Sequence, residues 1–200
     1  EERIKNLEKT NEKLTEICTQ VARTNATTNN FNNCGNQNIS IKVFLNENCK
    51  DALNLKDFVN NIKITLEDLA YTKDNGYING VTNIIKKQLE DLKPTERPIH
   101  CSDTKRLKFY VKDNNIWEKD EDKRVLRSAV KSVANKNYKQ LQEWYDNSKP
   151  EVEQLGSEEC ENYFKYYKAA LGGCGKEEDR KFEDKIIKNV LKEVVVDKHQ

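Results

Sequence analysis

Along the first 25 positions, apolar or small residues recur at Ile4, Leu7, Asn11, Leu14, Cys18 and Val21, with gaps of 3, 4, 3, 4 and 3. This is a heptad seam, with Ile4, Asn11 and Cys18 at a and Leu7, Leu14 and Val21 at d. Glutamate and lysine fill most of the flanking positions. A helix with so narrow an apolar stripe needs a partner. The pattern predicts a coiled-coil oligomerisation helix over residues 1–25, with self-association as its purpose. The amide of Asn11 at an a position favours a dimer and fixes its register. The competing reading is an amphipathic helix packed on its own domain.

The pattern then lapses. Residues 26–38 are rich in asparagine and threonine, with one aromatic, and read as a linker. From residue 39 to 200 the periodicities of a globular unit return. Ile39–Leu45 alternates and is β-branched, which predicts a short strand. Leu55, Phe58, Val59 and Ile62 share one helical face behind Asn54, a plausible N-cap. Thr65 caps the next helix, with Glu67 and Asp68 in its first turn and Asn75-Gly76 as its stop. Val81, Ile84, Ile85, Leu89 and Leu92 follow at helical spacing.

Between Arg97 and Asp120 the period changes to two. Leu107, Phe109 and Val111 fall on one face, and Lys108, Tyr110 and Lys112 on the other. Asp113-Asn114-Asn115 is turn chemistry, so a β-hairpin is predicted here. From Asp120 the chain reads as helical again. The acids at 120–122 are placed in a first turn, Val125, Leu126, Val130 and Val133 form a face, and a break is expected at Asn135 or Asn137. Tyr138, Leu141 and Trp144 belong to the helix after it. Ser157 caps a helix that ends on Gly172-Gly173. A last helix packs Phe182, Ile186, Ile187, Val190 and Leu191. The fold class predicted is α+β, mostly helical: the coiled-coil helix, then a compact helical domain with a β-hairpin and one short extra strand.

Composition narrows the picture. Hydrophobic residues make up 36% of the chain and charged residues 34%, and mean hydropathy is −0.95. The core is therefore expected to be thin and the helix faces well solvated. Lys and Arg number 35 against 34 acids, a net charge of +1, so a polyanion or membrane partner needs a local patch. No run approaches the about 20 apolar residues of a membrane span, and no membrane partner is expected. Methionine is absent, which suggests a fragment or a processed product. The six cysteines are scattered with no Cys-x-x-Cys pair, and read as free thiols of a reducing, intracellular setting. Asn25-Ala-Thr27 and Asn38-Ile-Ser40 match the glycosylation acceptor pattern, as asparagine-rich chains do by chance.

Four strings, "VFLNENCKDALNLKDFV" (Val43–Val59), "RPIHCSDTKR" (Arg97–Arg106), "WEKD" (Trp117–Asp120) and "IIKNVLKEVVVDK" (Ile186–Lys198), carry a resemblance to a family of proteins from giant viruses, the nucleocytoplasmic large DNA viruses. The likeness spans about Ile41 to Lys198. In that family a Cys-Cys-His-His zinc finger precedes a coiled coil, an asparagine-rich linker and a C-terminal domain containing "RPIHCSD". The resemblance implies that any finger of this chain lies before Glu1. It implies a setting in the host cytoplasm or viral factory, or in the virion, and carries over no catalytic residue.

The stretch from Arg97 to Asp120 concentrates the candidate chemistry. His100, Cys101 and Asp103 suggest a metal, with Cys49 or Cys34 arriving from afar, but zinc sites need four well-placed ligands. Neighbours on a strand point to opposite sides, which also separates Cys101 from His100 as a nucleophile and its base. Asp103, Asp113, Glu118, Glu121 and Lys123 outline the loosened acidic-plus-lysine pattern of a metal-dependent nuclease. Arg97, Lys105, Arg106, Lys108, Tyr110, Lys112 and Trp117 outline a basic-aromatic strip suited to DNA or RNA. Against the strip stands a plain hairpin face packed on helices, and Arg97 with Asp103 as a buried ion pair. The expectation is an oligomeric, non-enzymatic interaction module with no metal, no cofactor and no catalytic residue. Nucleic acid is its first candidate partner, virion proteins are the second, and the nuclease is the enzyme alternative.

Overall fold

The computed structural model describes residues 34–196. The heptad positions Ile4 to Val21 lie outside the described residues. The chain divides near residue 42, and the unit that follows carries the hairpin and the core. The described residues hold seven α-helices and three strands: α1 (Cys34–Glu47), α2 (Leu55–Asn61), α3 (Leu66–Glu90), β1 (Ile99–Asp103), β2 (Lys108–Asp113), β3 (Ile116–Lys119), α4 (Arg124–Asn147), α5 (Lys149–Val152), α6 (Glu158–Ala170) and α7 (Lys176–Glu193). The class is mostly helical α+β.

The strand expected over Ile39–Leu45 is helical instead, as part of α1. Ile41, Leu45 and Cys49 are buried while Val43 is 45% exposed. Spacing by four therefore prevails over the alternation of β-branched residues, because a helix puts Ile41 and Leu45 on one side and Val43 on another. The sheet's third strand is β1, at a different place in the chain from the one expected. It pairs with β2 in the antiparallel order β1-β2-β3. Ile99 faces Val111, His100 faces Tyr110 and Cys101 faces Phe109, and an irregularity follows before Asp103 meets Lys108. Asn114 and Asn115 both have positive φ, as a two-residue hairpin turn with the right-handed twist of strands requires. Val194–Val196 adds a parallel bridge at Cys101 on the free edge of β1, with Cys101 N–H donating to the Val194 carbonyl at 2.7 Å.

The core lies on the Cys101 face of the sheet. Phe58 and Val59 of α2, Val81 and Ile85 of α3, Leu126 and Val130 of α4, and Ile186 and Val190 of α7 pack around Ile99, Phe109 and Val111. Thr65 forms a complete capping box with Asp68, its side chain accepting from Asp68 N–H at 3.2 Å and its own N–H donating to the Asp68 carboxylate at 2.9 Å. Asn75-Gly76 kinks α3 instead of ending it: Gly76 has φ 79° and the helix resumes beyond it. The acids of Asp120–Asp122 precede α4, whose first turn holds no acid. Asp120 acts from outside, its carboxylate accepting the Leu126 N–H at 2.9 Å. Asn135 and Asn137 do not break α4, which is continuous. Asn137 is buried, and its amide nitrogen reaches Thr72 Oγ at 3.5 Å.

Candidate interaction surfaces

The sheet's second face carries His100, Tyr110, Lys112 and Trp117, and it is covered. The segment from Phe44 to Asn54, the end of α1 and the loop beyond it, lies across it as a strap. The Phe44 ring meets His100 edge-on with centroids 5.6 Å apart, and Trp117 lies 5.4 Å from the same imidazole. Cys49 Sγ is 3.5 Å from His100 Nε2. Trp117 Nε1 donates to the Cys49 carbonyl at 3.2 Å. Lys112 Nζ donates to the carbonyls of Lys50 and Ala52. At the hairpin tip, Asn115 N–H donates to Asn54 Oδ1 at 2.7 Å. Asn54 thus ties α2 to the turn, and makes no side-chain cap to α2.

This geometry corrects the basic-aromatic strip. Lys112 is 3% exposed and Tyr110 6%, and the lysine's donors are taken by the strap, so neither side chain is presented to a polyanion. Arg97 is likewise engaged. Its guanidinium donates to the Leu89 and Leu92 carbonyls at the end of α3 and to the Glu193 carbonyl at the end of α7. A fixed cation there satisfies the orphan carbonyls of two helix C-termini. It makes no pair with Asp103, which instead accepts the N–H groups of Lys105 and Arg106, both at 2.9 Å. Those bonds hold the Asp103 carboxyl below the ordinary carboxylate range. They also build the turn on which Lys105 and Arg106 stand exposed, with Lys108 half-buried beside them. Of the seven candidate residues, these three retain access to solvent charge, while Trp117 is half-buried under the strap.

The other sequence candidates separate in the same way. His100 and Cys101 point to opposite faces, as strand alternation predicts, and the thiol that reaches His100 is Cys49. Burial pushes that thiol up to about 11, only partly offset by the charge of Lys112, so it is a buried neutral group and no nucleophile. Glu121 pairs with Lys119 at 2.6 Å and Lys123 with Asp184 at 3.3 Å, so these two members of the nuclease pattern are engaged in separate ion pairs. Among the described residues, no three His, Cys, Asp or Glu side chains gather closely enough to hold a metal ion. No described helix is long and apolar enough to cross a membrane.

A second surface was not singled out in the sequence. Below α4 and α6 the core thins to Leu69, Leu141 and Ala170, and half-buried aromatics close around them. Trp144 packs on Tyr166 at 5.2 Å, Tyr145 on Tyr163 at 5.0 Å and Tyr138 on Tyr167 at 6.2 Å. Lys73 sits over the Tyr166 ring at 5.1 Å. Outside them stand Phe164, 64% exposed, Leu171, 53%, and Leu155, 92%. The string "YFKYY" (Tyr163–Tyr167) carries the signal: four aromatics in five helical positions span too much of the circumference to share one buried stripe.

No family model, curated protein or solved structure matches the chain.

Proposed function

We propose that the protein is a non-enzymatic interaction module: the N-terminal heptad helix joins copies, and the compact α+β unit contacts protein partners through the aromatic face of α4 and α6. The exposed Phe164, which stands outside the packed rings of Trp144, Tyr145, Tyr166 and Tyr167 and touches only Tyr163 among them, is the observation that carries this reading. Tyrosine and tryptophan are the residues that anchor protein interfaces, because they supply rigid contact area with a polar tip. The charges around that face are balanced. Lys165 pairs with Glu161 at 3.9 Å and Lys149 with Glu153 at 3.6 Å, which suits a protein partner better than a polyanion. With the resemblance to giant-virus proteins, the setting proposed is a virion or viral-factory scaffold. The nucleic-acid reading rests on Lys105, Arg106 and Lys108 alone.

Two measurements test this. A benzoylphenylalanine in place of Phe164 is expected to cross-link to protein on irradiation, whether in purified protein or in cell extract. Fluorescence polarisation with labelled DNA and RNA is expected to show only weak binding at physiological salt. Tight, steeply salt-dependent binding that disappears in the Lys105→Ala, Arg106→Ala, Lys108→Ala triple variant would overturn the choice of protein over nucleic acid.

A further inference from the structure

We infer that the partner of the α6 face is a second copy of this chain, docked about a two-fold axis through Phe164. This rests on the reading of that face as a protein-contact surface and names the occupant. Glu161, Phe164, Lys168 and Leu171 follow one another at spacings of 3, 4 and 3, so they form a single stripe along α6 and its C-terminal turn. All four are exposed. The stripe is electrically segregated, with the acid toward the N-terminal end, the lysine toward the C-terminal end and the aromatic between them.

Such a stripe complements itself only when antiparallel. With Phe164 against Phe164 of the copy, Lys168 lies about 6 Å along the helix on one side and Glu161 about 4.5 Å on the other. Each Lys168 therefore comes within about one residue's rise of the copy's Glu161. Leu171 then approaches the turn before the copy's α6, which carries the exposed Leu155. A parallel pairing sets Glu161 against Glu161 and Lys168 against Lys168, which repels. An isologous contact of this kind uses one patch twice.

One short helix stripe buries less than a stable interface needs, so the contact is weak in isolation. Joined to a separate N-terminal association it gains avidity. Where the two self-contacts join different pairs of copies and their axes do not close, they extend the assembly into an open array, the behaviour of a scaffold.

The test uses the full chain in sedimentation equilibrium. The wild type is expected to grow in mass with concentration. Phe164→Glu is expected to weaken that growth about a hundredfold and leave a fixed smaller species, with an unchanged thermal melt as the folding control. Glu161→Lys or Lys168→Glu alone weakens it roughly fivefold, and the two together restore it. Phe164→Cys, in a Cys160→Ser, Cys174→Ser background, is expected to give a 164–164 disulfide under mild oxidation. Mass growth indifferent to Phe164→Glu, or no rescue by the paired charge swap, overturns the two-fold. Photo-cross-links from position 164 to a different protein alone sink the self-docking but keep the proposed function. No protein cross-link at 164 sinks both.

Discussion

His100 is held neutral by its surroundings. Burial and the nearby Arg97 charge push the imidazole down to about 4, against a hydrogen bond to the Pro94 carbonyl that pulls it up. The ring titrates near 6.5 when exposed, so between those two values the unfolded chain binds the proton and the folded one resists it. Stability is therefore full above about 6.5, is lost as pH falls toward about 4, and changes no further from this group below that. The loss approaches about 3 kcal/mol. Urea unfolding across this range should show it, and His100→Asn should be less stable at pH 7 with a flatter profile. Lys112→Ala strips two carbonyls of the strap of their donor, and about 3 kcal/mol of destabilisation is expected in the same assay. The sequence places His100 and Lys112 on one strand face. It does not show that residues 44–54, some fifty positions upstream, cover that face.

At the scale of elements, capping was the most readable chemistry. Thr65 and Ser157 occupy the N-caps their residue types suggest, and Cys160 N–H donates to Ser157 Oγ at 3.0 Å. Thr65→Ala should cost about 1 kcal/mol in thermal or urea unfolding. Breaks were harder to read. Gly76 bends α3 so that Thr72 on one side meets Gly80 on the other, and a Cβ at Gly80 would lie 2.3 Å from Thr72 Oγ. Gly80→Ala is thus expected to destabilise by about 1–3 kcal/mol, whereas the general helix preference for alanine predicts the opposite sign. The asparagines of α4 were expected to break it, but Asn137 is packed against α3 inside the protein. The alternation of Ile39–Leu45 failed for a related reason: a seven-residue pattern fits both periods until its burial partner is known.

At the scale of the whole molecule, the proposed assembly is divided between two places. The heptad seam of residues 1–25 predicts that its deletion lowers the order of assembly in light scattering, and that any concentration-dependent association left behind is abolished by Phe164→Glu. A deletion that leaves the mass unchanged contradicts the seam's role. Parts of the strings singled out in the sequence converge in the fold: "NENCKDAL" belongs to the strap, His100 and Trp117 lie beneath it, and "IIKNVLKEVVV" is the end of α7 with the edge bridge at Cys101. By itself the sequence determined the helical faces from Leu55 onward, the hairpin with its two-asparagine turn, the caps at Thr65 and Ser157 and the separation of His100 from Cys101, because each depends on residues within a few positions of one another. Only the tertiary structure decided that Tyr110 and Lys112 of the basic-aromatic strip are covered, that Arg97 caps two helices and that Phe164 of α6 remains outside. Those outcomes depend on which distant segment reaches a face first, and no local periodicity encodes that.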